Sequence, residues 1–224
     1  MPILHGCAGC RRNDVKLKAC TKCTSDPILT MPAYYCGKDC QKHHWLSQHK
    51  EFHKIIDDCQ QRLAITPEDP YVYYVLAVQL AGYGRYVESF YNFVESVQLS
   101  IAQGPHAGVA EMNCRSCAQV YAFFHTHDEA MSFLQGAGVE PPNWLNQLDY
   151  VRRQANECIE WAPDYIESWG MLGSVEERGG NYAQACAAYQ QAMTVAKKPG
   201  TKARFQALYD RAAAHIPGGS SSSA

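Results

Sequence analysis

Apolar and aromatic residues are spread along the whole chain, and their grouping changes near residue 66. From there to residue 216 they fall in long stretches set apart by Gly82 and Gly84, Gln103-Gly104-Pro105, Gly136-Ala137-Gly138, Pro141-Pro142 and Pro163. Glycine and proline clusters of this kind mark turns, so the pattern predicts an all-helical region over 66–216. Pro67-Glu68-Asp69-Pro70 opens one helix, with acids near its start that suit the macrodipole. A second runs through Tyr86–Leu99, and a further helix lies around Asn143–Trp161. The aromatic-rich run Tyr71, Tyr73, Tyr74, Tyr83, Tyr86, Phe90, Tyr91 and Phe93 reads mostly as core and inter-helix packing. Residues 217–224, glycine- and serine-rich, read as a disordered tail. No apolar run approaches the roughly 18 residues of a membrane helix, so no membrane span is expected.

The first sixty residues follow a different logic. Six of the 11 cysteines lie within the first forty positions, as Cys7-x2-Cys10, Cys20-x2-Cys23 and Cys36-x3-Cys40, and His49-x3-His53 follows. Two cysteines separated by two residues can turn both sulfurs toward one ion, the usual first half of a structural zinc site. From Asp39 onward the residues favour helix, with no proline or glycine before Pro67. His49 and His53, four apart, then project from one helix face. Four pairs make eight ligands, enough for two closed tetrahedral sites with no open position for a catalytic water. His43 and His44 are expected on the solvent face of that helix.

These residues resemble the MYND-type zinc finger. The likeness spans residues 7–53 and includes the paired knuckles, Tyr35-Cys36, Cys40-Gln41, Trp45, His49-Lys50 and a last ligand four residues on. It implies an interleaved, cross-brace arrangement: Cys7, Cys10, Cys36 and Cys40 on zinc 1, and Cys20, Cys23, His49 and His53 on zinc 2. It also implies that Gln41 and Trp45 contact a short proline-containing peptide. Departures from the family pattern stand out. The last ligand, commonly cysteine, is His53, with Cys59 a weaker alternative. Twelve residues separate Cys23 from Cys36, with Pro27 and Pro32 marking an irregular loop. About fifty residues rich in Lys, Asp, Gln and Thr build too small a core alone, whereas zinc contributes roughly 10–16 kcal/mol in finger peptides. The module is expected to unfold without metal.

In the helical region, Trp169-x2-Leu172-Gly173, Gly180, Tyr182 and Ala185-x3-Tyr189-x2-Ala192 resemble a tetratricopeptide (TPR) repeat, with Glu176 where an aromatic is common. A degenerate copy starts at Tyr73 and a weaker one at Cys114. Their starts lie 41 and 55 residues apart, more than the about 34 of a regular array. Cys114-x2-Cys117, with His125 and His127 near, could suggest a third metal site; on a helix the two thiols converge poorly, and buried structural cysteines are the expectation.

The predicted architecture is a small zinc-stabilised finger (1–60), an all-α, TPR-like helix-hairpin domain (66–216) and the tail (217–224). Residues 1–60 hold nine Lys/Arg against six Asp/Glu, and the remainder eleven against sixteen. That is too weakly basic for phosphate-backbone binding. MYND modules often accompany a methyltransferase SET domain, but the chain lacks its strand-rich pattern and its Asn-His-x-Cys-like segment. No phosphate loop, nucleophile elbow or His-Glu-x-x-His is present, and His125-Thr126-His127-Asp128-Glu129 reads as a helix–helix turn. The expectation is a non-enzymatic adaptor that holds two structural Zn2+ and binds a protein or peptide partner. A nucleic-acid-binding module and an accessory subunit of a separate enzyme are the alternatives. The start of the chain shows no basic and apolar leader, and clustered thiols suit a reducing compartment; both point to cytosol or nucleus. Partner identity and oligomeric state are not encoded in any motif.

Overall fold

A computed structural model of the chain describes residues 7–26, 29, 32–104 and 107–216. The tail expected over 217–224 and the loop residue Pro27 lie outside the described residues. The chain divides into two compact units, one ending at Asn92 and the other starting at Phe93. The boundary read from the sequence between residues 60 and 66 falls inside the first unit.

The first unit opens with a two-stranded antiparallel ribbon. β1 (Lys18–Ala19) pairs with β2 (Tyr34–Tyr35), Lys18 facing Tyr35 and Ala19 facing Tyr34; α1 (Thr21–Ser25) lies between them in sequence. A helical stretch then runs from Lys38 to Ile65 as α2 (Lys38–His44), one π-helical turn (Trp45–His49) and α3 (Lys50–Ile65). The sequence predicted this helix but not its widened turn. Gln41, Trp45, His49 and His53 follow one another in steps of four, which would drift around an α-helix of 3.6 residues per turn. The wider turn takes up that drift, and such turns gather at functional sites.

α4 (Pro70–Gly82) folds back on α3. Its cap follows from the sequence: Asp69 accepts from the Tyr71 backbone N–H at 2.9 Å, and Pro70 takes a first-turn position where no donor is needed. Phe52, Ile56 and Cys59 of α3 and Val72, Leu76 and Leu80 of α4 form one buried cluster with Tyr35, Leu29, Cys7, Cys20 and Cys23. Each fully buried aliphatic or aromatic side chain contributes about 1.5–3 kcal/mol. The finger therefore borrows core from α4, which is why the unit outruns the cysteine-rich segment. Gly84, at φ +70°, ends the hairpin, and Ser89 at the start of α5 (Tyr86–Gln103) donates to the Ala77 carbonyl at 2.7 Å.

Among its described residues the second unit consists of helices joined by turns and short loops, with no strand. It comprises the later part of α5, α6 (Ala107–His125), α7 (Asp128–Gly136), a short 3-10 turn (Asn143–Asn146), α8 (Leu148–Trp161), α9 (Ile166–Arg178), α10 (Tyr182–Val195) and α11 (Pro199–Ala213). α6 packs on α7, α8 and α9, and from α8 onward each helix packs on the next. Phe93 meets Phe123 edge-on at 5.8 Å, and the hydroxyls of Ser96 and Ser116 lie 2.9 Å apart in the interior. Ala185, Tyr189 and Ala192 of α10 join Phe205 and Ala212 of α11 in a second core.

Two candidate zinc centres

Each ligand pair is positioned by a local backbone device. In the first knuckle the Cys7 N–H donates to the Arg12 carbonyl and the Arg11 N–H to the Cys7 carbonyl, both at 2.7 Å. Arg11 takes a φ of +65° to close that loop. Gly9 allows the Cys36–Cys40 segment to approach: a Cβ there would lie 3.0 Å from both the Cβ and the carbonyl oxygen of Cys40. The Ala8 N–H donates to Tyr34 O at 2.8 Å and the Cys20 N–H to Ala33 O at 2.7 Å, so both knuckles hang from the β2 strand and its approach. Of the second pair of each set, Cys36 lies just after β2, whereas Cys40 in α2, His49 in the widened turn and His53 in α3 come from the long helical stretch.

The structure gathers the eight residues into two sets: Cys7, Cys10, Cys36 and Cys40, and Cys20, Cys23, His49 and His53. Within each set all ligand atoms lie within 4.8 Å of one another. Sγ of Cys36 is 3.7 Å from that of Cys10 and 3.5 Å from that of Cys40. Sγ of Cys23 is 3.3 Å from Nε2 of His49 and 3.4 Å from Nε2 of His53. A tetrahedral ion with Zn–S near 2.3 Å and Zn–N near 2.05 Å has S–S edges of about 3.8 Å and S–N edges of about 3.5 Å. The donor sets fit zinc in number, type and spacing.

Ionisation points the same way. Burial works against a thiolate at Cys7, but the backbone N–H groups of Cys36, Cys10 and Gly9 outweigh it and bring that thiol down to about 6. The Cys36 thiol beside Cys40 pushes it up to about 12, and burial pushes Cys23 up to about 11. Four sulfurs this close cannot all ionise without a cation among them. Burial, with the neighbouring His53 and His44, lowers His49 to about 4, and burial also lowers His53. Both imidazoles are therefore neutral near pH 7, the state that binds metal. Nε2 of His53 is the ring nitrogen that faces Cys23, while Nδ1 is buried with no hydrogen-bond partner among the described residues.

Residues 7–53 match the family model of the MYND finger. This segment is a MYND finger. No curated protein and no solved structure matches the chain, so the helical unit stands on its own geometry.

The MYND finger has two zinc sites of unlike exposure. Site 1 has Cys10 exposed, Cys36 and Cys40 half-buried and Cys7 buried, whereas all four ligands of site 2 are buried. The chain visits the sites alternately, which gives the cross-brace. Cys59 is buried in the apolar core and is no member of either set. The expectation for His44 is corrected. It is half-buried, its Nδ1 lies 2.7 Å from the Tyr35 hydroxyl, and its ring stacks on His49 at 5.1 Å. His43 is exposed as expected. Tyr35 and His44 thus brace a zinc ligand, a role that nothing in the spacing of His44 revealed.

Gln41 and Trp45 are both half-buried. The Trp45 ring lies 5.7 Å from that of His49 and 5.8 Å from that of His53, so it covers site 2 while keeping part of its surface open. In the second unit, Cys114 and Cys117 are buried, with Cys114 Sγ near Gln154 and Cys117 Sγ near Asn113. Among the described residues no third metal-ligand group includes them.

Proposed function

We propose that this chain is a non-enzymatic protein-interaction adaptor whose MYND finger holds an extended, proline-containing peptide of the Pro-x-Leu kind. The observation that carries this reading is the placement of Trp45. Its indole rests on both histidine ligands of zinc 2 and remains part-exposed, one helical turn from Gln41. Zinc makes that platform rigid, and a preorganised surface loses little freedom on binding. Trp45 would offer the apolar face and Gln41 an amide for the peptide backbone. The helical unit supplies a second binding surface through TPR-like helix hairpins. Support comes from α9 and α10, where Ala185, Tyr189 and Ala192 pack as the repeat pattern requires. A reducing compartment, cytosol or nucleus, suits the eight thiol and imidazole ligands.

The test is a titration of Trp45→Ala and Gln41→Ala proteins with a panel of proline-containing peptides, beside a zinc count by native mass spectrometry. Loss of binding with both zinc ions retained supports the reading. Unchanged binding in Trp45→Ala overturns the groove assignment.

A further inference from the structure

The α3–α4 hairpin has a face that the core does not use. α4 carries no charged residue. Its inner face buries Val72, Leu76, Ala77 and Leu80, yet Tyr71 and Val78 on the opposite side are 49% and 38% exposed, while Val75 is half-buried against the edge of the core. A helix that is apolar all round is ordinarily buried all round. Beside this face lies a cleft of about 650 Å³ between α3 and α4, lined by Ile55, Cys59 and Val75 and by the amides of Gln61 and Gln79.

The other wall of the cleft is acidic. Glu51, Asp57 and Asp58 of α3 line it, with Lys54 as the one cation among them. Lys22 engages Asp57 at 2.6 Å, and Lys54, itself mostly exposed, reaches Glu51 at 3.5 Å. Asp58 is exposed and has no cationic partner among the described residues. The cleft thus combines an apolar strip, a net negative wall and a carboxylate left without a counter-ion, next to the exposed Tyr71 and Val78.

We propose that the α3–α4 cleft is a docking site for a basic amphipathic helix of a partner protein, separate from the Gln41–Trp45 surface. Aliphatic side chains spaced three and four apart on that helix cover Val75, Val78 and Ile55, and a flanking lysine or arginine meets Asp58 and Glu51. Laying an apolar helix face into a groove is a standard recognition mode, and the carboxylate wall selects against acidic helices.

The experiment uses the zinc-loaded full-length chain, isotope-labelled for NMR. It is titrated with a short amphipathic helical peptide bearing leucines on one face and lysines on the flanks, and with the same peptide bearing glutamates instead. The expected result is chemical-shift change at Ile55, Val75 and Val78 with the lysine peptide alone. Binding should weaken about tenfold or more in Asp58→Lys and in Val78→Asp, both at exposed positions. Equal binding of the glutamate peptide, shifts at Trp45 and Gln41 in place of the cleft, or shifts at the cleft that follow protein concentration alone would each overturn the proposal; the last would assign the face to a second copy. The proline-peptide titration reads Trp45, so failure of one proposal leaves the other standing.

Discussion

Gly173 of α9 lies flat against the ring of Tyr189 of α10: a Cβ on that glycine would sit 2.4 Å from Cε1 and 2.6 Å from Cδ1 of the tyrosine. Tyr189 is fully buried, and its hydroxyl lies 3.0 Å from that of Ser174 and donates to Glu177 at 2.9 Å, so the ring has no room to retreat. Gly173→Ala is expected to destabilise the second unit by about 1–3 kcal/mol through overpacking. Gly136→Ala, at the end of α7 where nothing lies within 4 Å, should be neutral or slightly stabilising. Thermal denaturation of the two variants side by side checks the contrast.

Glu176 is buried, at a position where the repeat that the sequence resembles commonly carries an aromatic. Arg152 of α8 accounts for it, with Nε at 2.7 Å and Nη2 at 3.3 Å from the two carboxylate oxygens, and Asn181 adds a bond at 2.7 Å. Burial opposes the charge, but these donors outweigh it and hold the carboxyl below its usual range. Arg152→Met should cost about 1.5–3 kcal/mol, the value of a hydrogen-bonded charge. Adding Glu176→Leu should recover much of the loss, since a well-packed apolar pair often matches an ion pair. A double-mutant cycle by urea denaturation measures the coupling.

Two histidines of the second unit make its stability sensitive to acid. Burial and the nearby Arg178 lower His125 to about 4, and burial lowers His127 against the pull of Glu167. Both stay neutral in the fold and protonate more readily in the unfolded chain. Their contribution is complete above the ordinary value of 6.5 and is lost as pH falls below it, for His125 as pH falls through about 4. The urea midpoint followed on an NMR signal of buried Met171 should fall across that window, and His125→Gln should flatten the fall.

Zinc site 2 accepts chemistry that its buried geometry permits. His53→Cys is expected to keep two zinc ions per chain, because a thiolate replaces Nε2 in an all-buried donor set. His53→Ala should leave one. Native mass spectrometry reads the count directly. A strong chelator should abolish the near-UV signal of the first unit, whose core is continuous with the ligands Cys7, Cys20 and Cys23.

Residues whose partners lie close in sequence were the legible ones. The four ligand pairs, the helix start within Pro67-Glu68-Asp69-Pro70 and the succession of helices all follow from short spacings, and the cross-brace followed from the family resemblance. What escaped depends on distant partners. The bracing of His49 by His44 needs the Tyr35 hydroxyl, delivered by a strand of two residues, too short to show alternation. Arg152 is 24 residues from Glu176. The unit boundary moved because α4, read as the start of the helical region, spends its inner face on the core of the finger.

The alternating use of ligands also imposes an order on synthesis. A chain emerging from the ribosome presents Cys7 and Cys10 for one ion, then Cys20 and Cys23 for the other, and only afterwards the residues that close each set. Each ion ties a loop that encloses part of the other's, so the early thiol pairs wait half-made and exposed to the wrong match. No cut through the finger leaves a whole site on each fragment. The finger can be inherited, lost or transplanted only as one piece.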